Sequence, residues 1–291
     1  MPKPITYLSP SSLMLFERDP EYFYKTKILG HAKEEQTKPM VVGTGFDAFV
    51  KHAIDPEINA YEMIKDGVDS NDLMDFAIKG GKECFGFYKN SGALASLMLE
   101  MGASKPDVIG QVNRMVKGVP LHGRPDLKFI LKSDIIVIDW KVNGFCSVAS
   151  PAPEYIKLWD ALGNEKGAHK NATPMITESG IIVNASSNLE DINKNWATQL
   201  ATYSWVLGID VGDTDFIVGL DQIVWSRKHE PRCAKHRYRI SAEFQYGLMD
   251  RYKDLWDKVQ TGKFLGENTE ARSQILEDSE NIPNDWLKRA R

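Results

Sequence analysis

What this chain of 291 residues lacks narrows its possible roles first. Cysteine is scarce: Cys84, Cys146 and Cys233 are far apart and odd in number. They cannot form a full disulfide framework, and no CxxC pair suggests a zinc or iron–sulfur site. No apolar run approaches the ~18 residues that a membrane span needs, so no membrane partner is expected. The opening MPKPITYLSPSS lacks the apolar stretch of a secretory signal, and a cytoplasmic setting is the expectation. No GxxxxGK[ST] phosphate loop occurs, so no bound nucleotide is expected. Neither an internal repeat nor a low-complexity tract is found. No charge dominates either: 36 Lys+Arg stand against 40 Asp+Glu, for a net charge of −4. That excludes a histone-like binder held by bulk charge, and any nucleic-acid role must rest on local charge. What is present, 42% hydrophobic and 26% charged residues, is ordinary globular composition.

Along the chain, Ser9-Pro10 reads as a cap and first position of a helix, with Leu13 and Phe16 on one face. Asp19-Pro20 restarts the chain into the aromatic run Tyr22-Phe23-Tyr24, expected to be core. After Gly43-Thr44-Gly45, Phe46, Phe49, Val50 and Ala53 recur at helical spacing, with Asp47 off that stripe. Residues 57–118 read as mostly helical, with Leu94, Leu97, Met98 and Met101 forming a buried face. The pattern changes near 119. Residues 119–131 read as a strand interrupted by Gly and Pro, and 134–142 as a strand buried on both faces, as in a central strand covered by helices. Residues 143–188 are irregular, an ordered insertion or a flap. A helix over about 189–207, a strand at 216–225, a hairpin partner at 235–240 and a closing helix over about 241–260 follow. The polar tail after it is expected to pack loosely. His31, His52 and His122 suggest no ligand set and are read as structural or exposed.

The informative constellation is Asp126, Asp139 and Lys141. Strand side chains alternate, so Asp139 and Lys141 share a face while Trp140 takes the other. A short hairpin would set Asp126 beside them. Two buried carboxylates and an ammonium are costly unless compensated. A divalent cation such as Mg²⁺ or Mn²⁺ suits hard oxygen ligands, and the lysine could then orient a water for attack on a phosphodiester. The tripeptide by itself is weak, because an acid precedes a lysine by two residues at both Lys128 and Lys141. A surface salt-bridge ladder is the plain alternative, and the apolar run Ile135 to Ile138 argues against it.

Gly123-Arg124-Pro125-Asp126, twelve intervening residues and Asp139-Trp140-Lys141 together resemble the signature of the PD-(D/E)XK nuclease superfamily. More narrowly, they resemble its RecB-type exonuclease branch, which includes CRISPR-associated and phage recombination exonucleases. Leu8-Ser9-Pro10-Ser11-Ser12-Leu13 with Asp19-Pro20-Glu21-Tyr22-Phe23 is similar to the branch's N-terminal helix motif. Gly43-Thr44-Gly45-Phe46-Asp47 is similar to its glycine-led helix, and Gln199-Leu200-Ala201-Thr202-Tyr203 to its QxxxY helix. The strand pair at 216–240 corresponds to its remaining core strands.

The resemblance covers about 5–260. It implies an α/β fold with a restriction-endonuclease-like core, a central mixed β-sheet flanked by helices on both faces. It also implies one nuclease domain over 1–265, with a mainly helical part (1–118), the catalytic hairpin (119–142), the insertion (143–188) and the remainder (189–265), then a tail over 266–291. Asp126 and Asp139 become metal ligands, with the Trp140 carbonyl and Asp47 as further ligands to one or two Mg²⁺ or Mn²⁺ ions. Lys141 positions water, and Gln199 and Tyr203 stand one helical turn apart where they could touch the scissile phosphate or its water. Two departures matter. Asp47 stands where the branch usually has His, which makes an all-oxygen site. Asp19 stands where several members have a cluster cysteine, and three scattered cysteines cannot hold a four-Cys iron–sulfur cluster.

Residues 227–239 hold six Lys/Arg, namely Arg227, Lys228, Arg232, Lys235, Arg237 and Arg239, against one acid. They are expected to form a phosphate-tracking wall, with Tyr238 or Trp225 stacking on a base; a charged hairpin edge is the alternative. Arg124 is a further candidate phosphate contact. The expected activity is a metal-dependent DNA nuclease, an exonuclease on single- or double-stranded ends in recombination, repair or phage DNA metabolism, with a recombination or annealing protein as a further partner. The alternatives are a structure-specific endonuclease, a catalytically silent nuclease-fold DNA-binding or adaptor module and, more remotely, a non-nuclease metal protein.

Overall fold

The computed structural model describes residues 5–30, 35–102, 110–131, 134–143, 174–177, 180–183, 188–212, 216–224 and 232–262. Ser9 caps α1 (Pro10–Arg18), its Oγ accepting from the Ser12 amide at 3.2 Å, and Asp19 caps α2 (Pro20–Phe23), which runs on into a π-turn over Tyr24–Ile28. Phe23 and Tyr24 are buried, as the aromatic run suggested. The helices α3 (Lys38–Ile54), α4 (Ala60–Gly67), α5 (Asn71–Asn90) and α6 (Ala93–Met101) follow. Leu94, Leu97 and Met101 are buried there, but Met98 is exposed.

The helical reading of 57–118 fails at its end. Val112–Val116 is a strand, β1, joined to β2 (Val119–Gly123) by a two-residue turn. Lys117 and Gly118 both adopt positive φ there, at 47° and 85°, as tight hairpins require.

Six strands form the main sheet: β3 (Leu127–Leu131), β4 (Asp134–Asn143), β5 (Pro174–Thr177), β6 (Gly180–Val183), β7 (Phe216–Val224) and β8 (Arg232–Ile240), in the order β3-β4-β7-β8-β6-β5. The sheet is mixed. β4–β7 and β6–β8 pair in parallel, and β3–β4, β7–β8 and β5–β6 pair antiparallel. The span 143–188 is therefore not irregular throughout, because β5 and β6 lie in it and extend the sheet; 144–173 lies outside the described residues, as does the tail. The helix expected over 189–207 is two pieces, α7 (Leu189–Ile192) and α8 (Lys194–Val206). Asn193 separates them and caps α8 through the Trp196 amide. The closing helix is α9 (Ala242–Thr261), capped by Ser241.

Helices cover both faces. Val137, Val218, Leu220, Tyr238 and Ile240 pack under α1, α8 and α9 with Leu13, Leu200, Leu248 and Tyr252. Ile136, Ile138, Trp140 and Ile223 pack on the other face under α3, α5 and α6 with Phe46, Val50, Tyr88 and Leu97. The chain is thus α/β with a mixed sheet between helical layers, and β4 is apolar on both sides as its sequence implied. Among the described residues no helix is long and apolar enough to cross a membrane.

The glycines of α3 and α5 set how closely these helices cross. A Cβ on Gly45 would lie 2.1 Å from the Ala77 carbonyl oxygen, and one on Gly81 2.5 Å from the Gly45 backbone. Backbone cannot yield as a flexible side chain can. Gly45→Ala is therefore expected to destabilise the protein by about 3 kcal/mol or more. Gly86→Ala, where a Cβ meets nothing within 4 Å, should be neutral or stabilising by up to about 1 kcal/mol, since it removes a helix-interior glycine. Urea midpoints of the two variants check both values, and equal effects would contradict the close-crossing account.

Candidate active site

β4 carries its odd-numbered residues Val137, Asp139 and Lys141 toward α8, and its even-numbered ones to the opposite core. Because Leu127 pairs with Ile138, Asp126 comes next to Asp139 at the strand end. Asp126 is anchored there: its Oδ2 accepts from the Trp140 amide at 2.8 Å. The Trp140 indole is buried on the far face, so this residue meets the site through its backbone.

Around Asp139 the polar groups form one chain. The Lys141 ammonium lies 2.6 Å from Asp139 Oδ2, an ion pair without hydrogen-bond alignment, and donates to Gln199 Oε1 at 2.9 Å. Gln199 Nε2 donates to Asp139 Oδ1 at 3.3 Å and to the Tyr203 hydroxyl oxygen at 2.9 Å. From α3, Asp47 joins through Lys51, whose ammonium donates to Asp47 Oδ2 at 2.8 Å and stands 4.0 Å from Asp126 Oδ1. Asp47, Asp126, Asp139, Lys141, Gln199 and Tyr203 thus converge from α3, the β3–β4 hairpin and α8. Lys51 was missed in the sequence, although its spacing of four from Asp47 on a helix signals a shared face.

Burial dominates the electrostatics. It pushes the Asp139 carboxyl up to about 7, with Lys141 pulling down and Asp126 pushing up. Burial also pushes Asp47 up to about 7, the Asp126 charge adding to it and Lys51 opposing. Tyr203 is raised well above the usual phenol value by burial and by Asp139. Asp47 Oδ1 and Asp139 Oδ2 are buried without a hydrogen-bond partner. Asp139 Oδ2 still lies against the Lys141 ammonium, whereas Asp47 Oδ1 has neither a hydrogen bond nor an ion pair, and carboxylate oxygens of this kind fit a hard cation in chemistry. Among the described residues, however, no three His, Cys, Asp or Glu side chains are drawn together as a ligand group.

Beside these residues opens a groove of about 630 Å³, reached by Gln199 and Tyr203 and lined by Ser9, Ser11, Lys27, His122 and Arg124. Arg124 is exposed on its wall. His122 stacks on Tyr7 at 4.4 Å, accounting for its place without a metal. Asp19, on α1's far end, serves as a helix cap.

The basic wall expected from 227–239 needs correction. Lys235 and Arg237 are buried, facing inward. Arg237 donates from Nη1 to Asp221 Oδ1 at 2.8 Å and from Nε and Nη2 to Glu100 at 2.7 and 2.6 Å. Lys235 donates to Ser96 Oγ at 2.8 Å and pairs with Glu100 at 3.4 Å. These two cations neutralise internal acids and present no charge to a phosphate. Tyr238 is buried and stacked on His236, out of reach of a base. Arg239 is exposed on β8. Arg227, Lys228, Trp225 and the Arg232 side chain lie outside the described residues.

No family model and no curated protein matches the chain. A solved structure described as "Crystal structure of SSO0001" is similar at 12% identity over 83% of this chain and 85% of that one, with a TM-score of 0.27. So remote a likeness carries no argument.

The raised Asp139 has a consequence for stability. Its folded carboxyl holds a proton that the unfolded chain, near 3.8, releases. Between about pH 4 and 7 its contribution therefore turns increasingly against folding as pH rises, and it is constant above. Asp139→Asn removes that slope. In EDTA, the stability of the variant relative to the parent is expected to rise by about 2 kcal/mol from pH 5 to pH 8. Urea unfolding at both pH values measures it, and a difference that does not change with pH would contradict the burial account.

Proposed function

We propose that the protein is a divalent-metal-dependent DNA nuclease of the PD-(D/E)XK kind, acting on DNA ends. The observation that carries this reading is the meeting of Asp126, Asp139, Lys141 and Gln199 around a buried strand, beside a groove that Gln199 and Tyr203 reach. Asp126 and Asp139 would hold Mg²⁺ or Mn²⁺, with the Trp140 carbonyl and Asp47 as further oxygen donors. A bound ion supplies Lewis-acid polarisation of the phosphate and charge stabilisation. The chain's own part is orientation. Lys141 aligns the attacking water and keeps its lone pair toward phosphorus, while Gln199 fixes Lys141 and Tyr203 relative to Asp139. Arg124 and Lys27, on the groove wall, offer positive charge to the DNA backbone.

An end-directed exonuclease in recombination, repair or phage DNA metabolism is the form we favour, working in the cytoplasm alongside a recombination or annealing protein. A catalytically silent DNA-binding module is the second reading. It is favoured by the lysine partners of Asp47 and Asp139, which offset the carboxylates without a metal.

Purified protein is expected to degrade linear DNA in Mg²⁺ or Mn²⁺ and to stop in EDTA, with Asp139→Ala and Lys141→Ala folded but at least 100-fold slower. Linear, nicked and closed circular substrates on one gel separate end-directed from internal cutting. Variants that cut as fast as the parent would sink the assignment. The thermal midpoint should also rise with Mn²⁺ by mass action; no cleavage and no shift with any divalent ion would leave the silent module.

A further inference from the structure

α3 brings a second lysine to the carboxylates. Lys51 is almost completely buried, its side chain 2% exposed, and its ammonium faces two acids at once, Asp47 Oδ2 at 2.8 Å and Asp126 Oδ1 at 4.0 Å. A buried ammonium demands anionic partners, and here both are carboxylates that the cation site would use. The lysine hydrogen-bonds one oxygen of Asp47 and faces one of Asp126 across 4.0 Å. Of the others, Asp126 Oδ2 is held by the Trp140 amide, while Asp47 Oδ1 has no hydrogen bond.

We propose that Lys51 is a built-in cation: its ammonium fills the position between Asp47 and Asp126 that a second divalent ion would take, so the site holds one such ion per chain. The proposal rests on the nuclease reading only for the presence of an ion at all. Charge balance supports it. Once all three are ionised, as ligation of an ion requires, the carboxylates of Asp47, Asp126 and Asp139 with the ammoniums of Lys51 and Lys141 leave one net negative charge. One divalent ion turns that into one net positive charge, suited to a phosphate diester. A second would leave three positive charges in a mostly buried cluster, at a large desolvation cost. Lys51 acts through the two carboxylates it holds and is a positioning residue, not a group that touches DNA.

The test is a manganese titration of the full-length, metal-free protein, with free Mn²⁺ read by electron paramagnetic resonance. The parent should saturate at one Mn²⁺ per chain. Lys51→Gln, which removes the charge, should saturate at two, and Lys51→Arg, which keeps it, at one. Two ions or none in the parent overturn the proposal, as does a folded Lys51→Gln that still stops at one. Circular dichroism melts establish folding; should Lys51→Gln not fold, the parent and Lys51→Arg decide, and two ions in either overturn it. A parent that binds one Mn²⁺ yet cuts no DNA would leave the role of Lys51 standing and remove the nuclease reading.

Discussion

Burial of the Asp139 carboxylate on β4, just past the last residue paired with β3, is the constraint around which the site is organised. A buried carboxylate must be neutralised, paired or given hydrogen bonds, and Asp139 receives only part of that. Lys141 lies against one oxygen, Gln199 donates to the other at a long 3.3 Å, and the charge of Asp126 works against both. Asp221, one strand away and also buried, shows what complete compensation looks like. Burial opposes its ionisation too, yet Arg237, Lys235 and the Tyr88 hydroxyl outweigh it and hold the carboxyl below its usual value. Two buried aspartates on neighbouring strands thus differ in kind. Asp221 closes an internal ion network that holds its carboxyl down, whereas Asp139, with only Lys141 and a long bond from Gln199, keeps a raised carboxyl behind the groove that Gln199 and Tyr203 reach, as perturbed groups at functional sites do.

The scaffold explains why these groups meet. β4 contributes Asp139 and Lys141 because alternate residues share a face. The antiparallel register of β3 sets Asp126 beside them, and α8 covers that face with Gln199 and Tyr203 one turn apart. α3 reaches the strand end from the other layer, and the Gly45–Gly81 crossing with α5 sets its position. Asp47 and Lys51 then arrive together, so the outer carboxylate comes with its own cation.

Local signals in the chain were reliable where the physics was local. The Ser9 cap, the apolar run of β4 and the closing helix α9 were all legible, because each depends on neighbours within a few residues. The β1 strand was read as helix because its pairing partner, not its own propensity, holds it. The break at Asn193 was hidden in a continuous apolar stripe, although Asn is a good cap. The basic character of 232–239 misled for a similar reason. Register sets Lys235 opposite Asp221 and Arg237 opposite Gly219, whose missing side chain leaves room for the guanidinium, while Glu100 arrives from α6, more than 130 positions away. Nothing near 235–237 announces those acids.

The alternation that pairs Asp139 with Lys141 and the one-turn spacing of Gln199 and Tyr203 belong to the sequence itself, because period and spacing are properties of the chain. Which charges face water and which face each other was decided only by folding. Burial and ion pairing depend on residues brought together from distant segments, so Lys51 became part of the site while Lys235 and Arg237 were drawn inside.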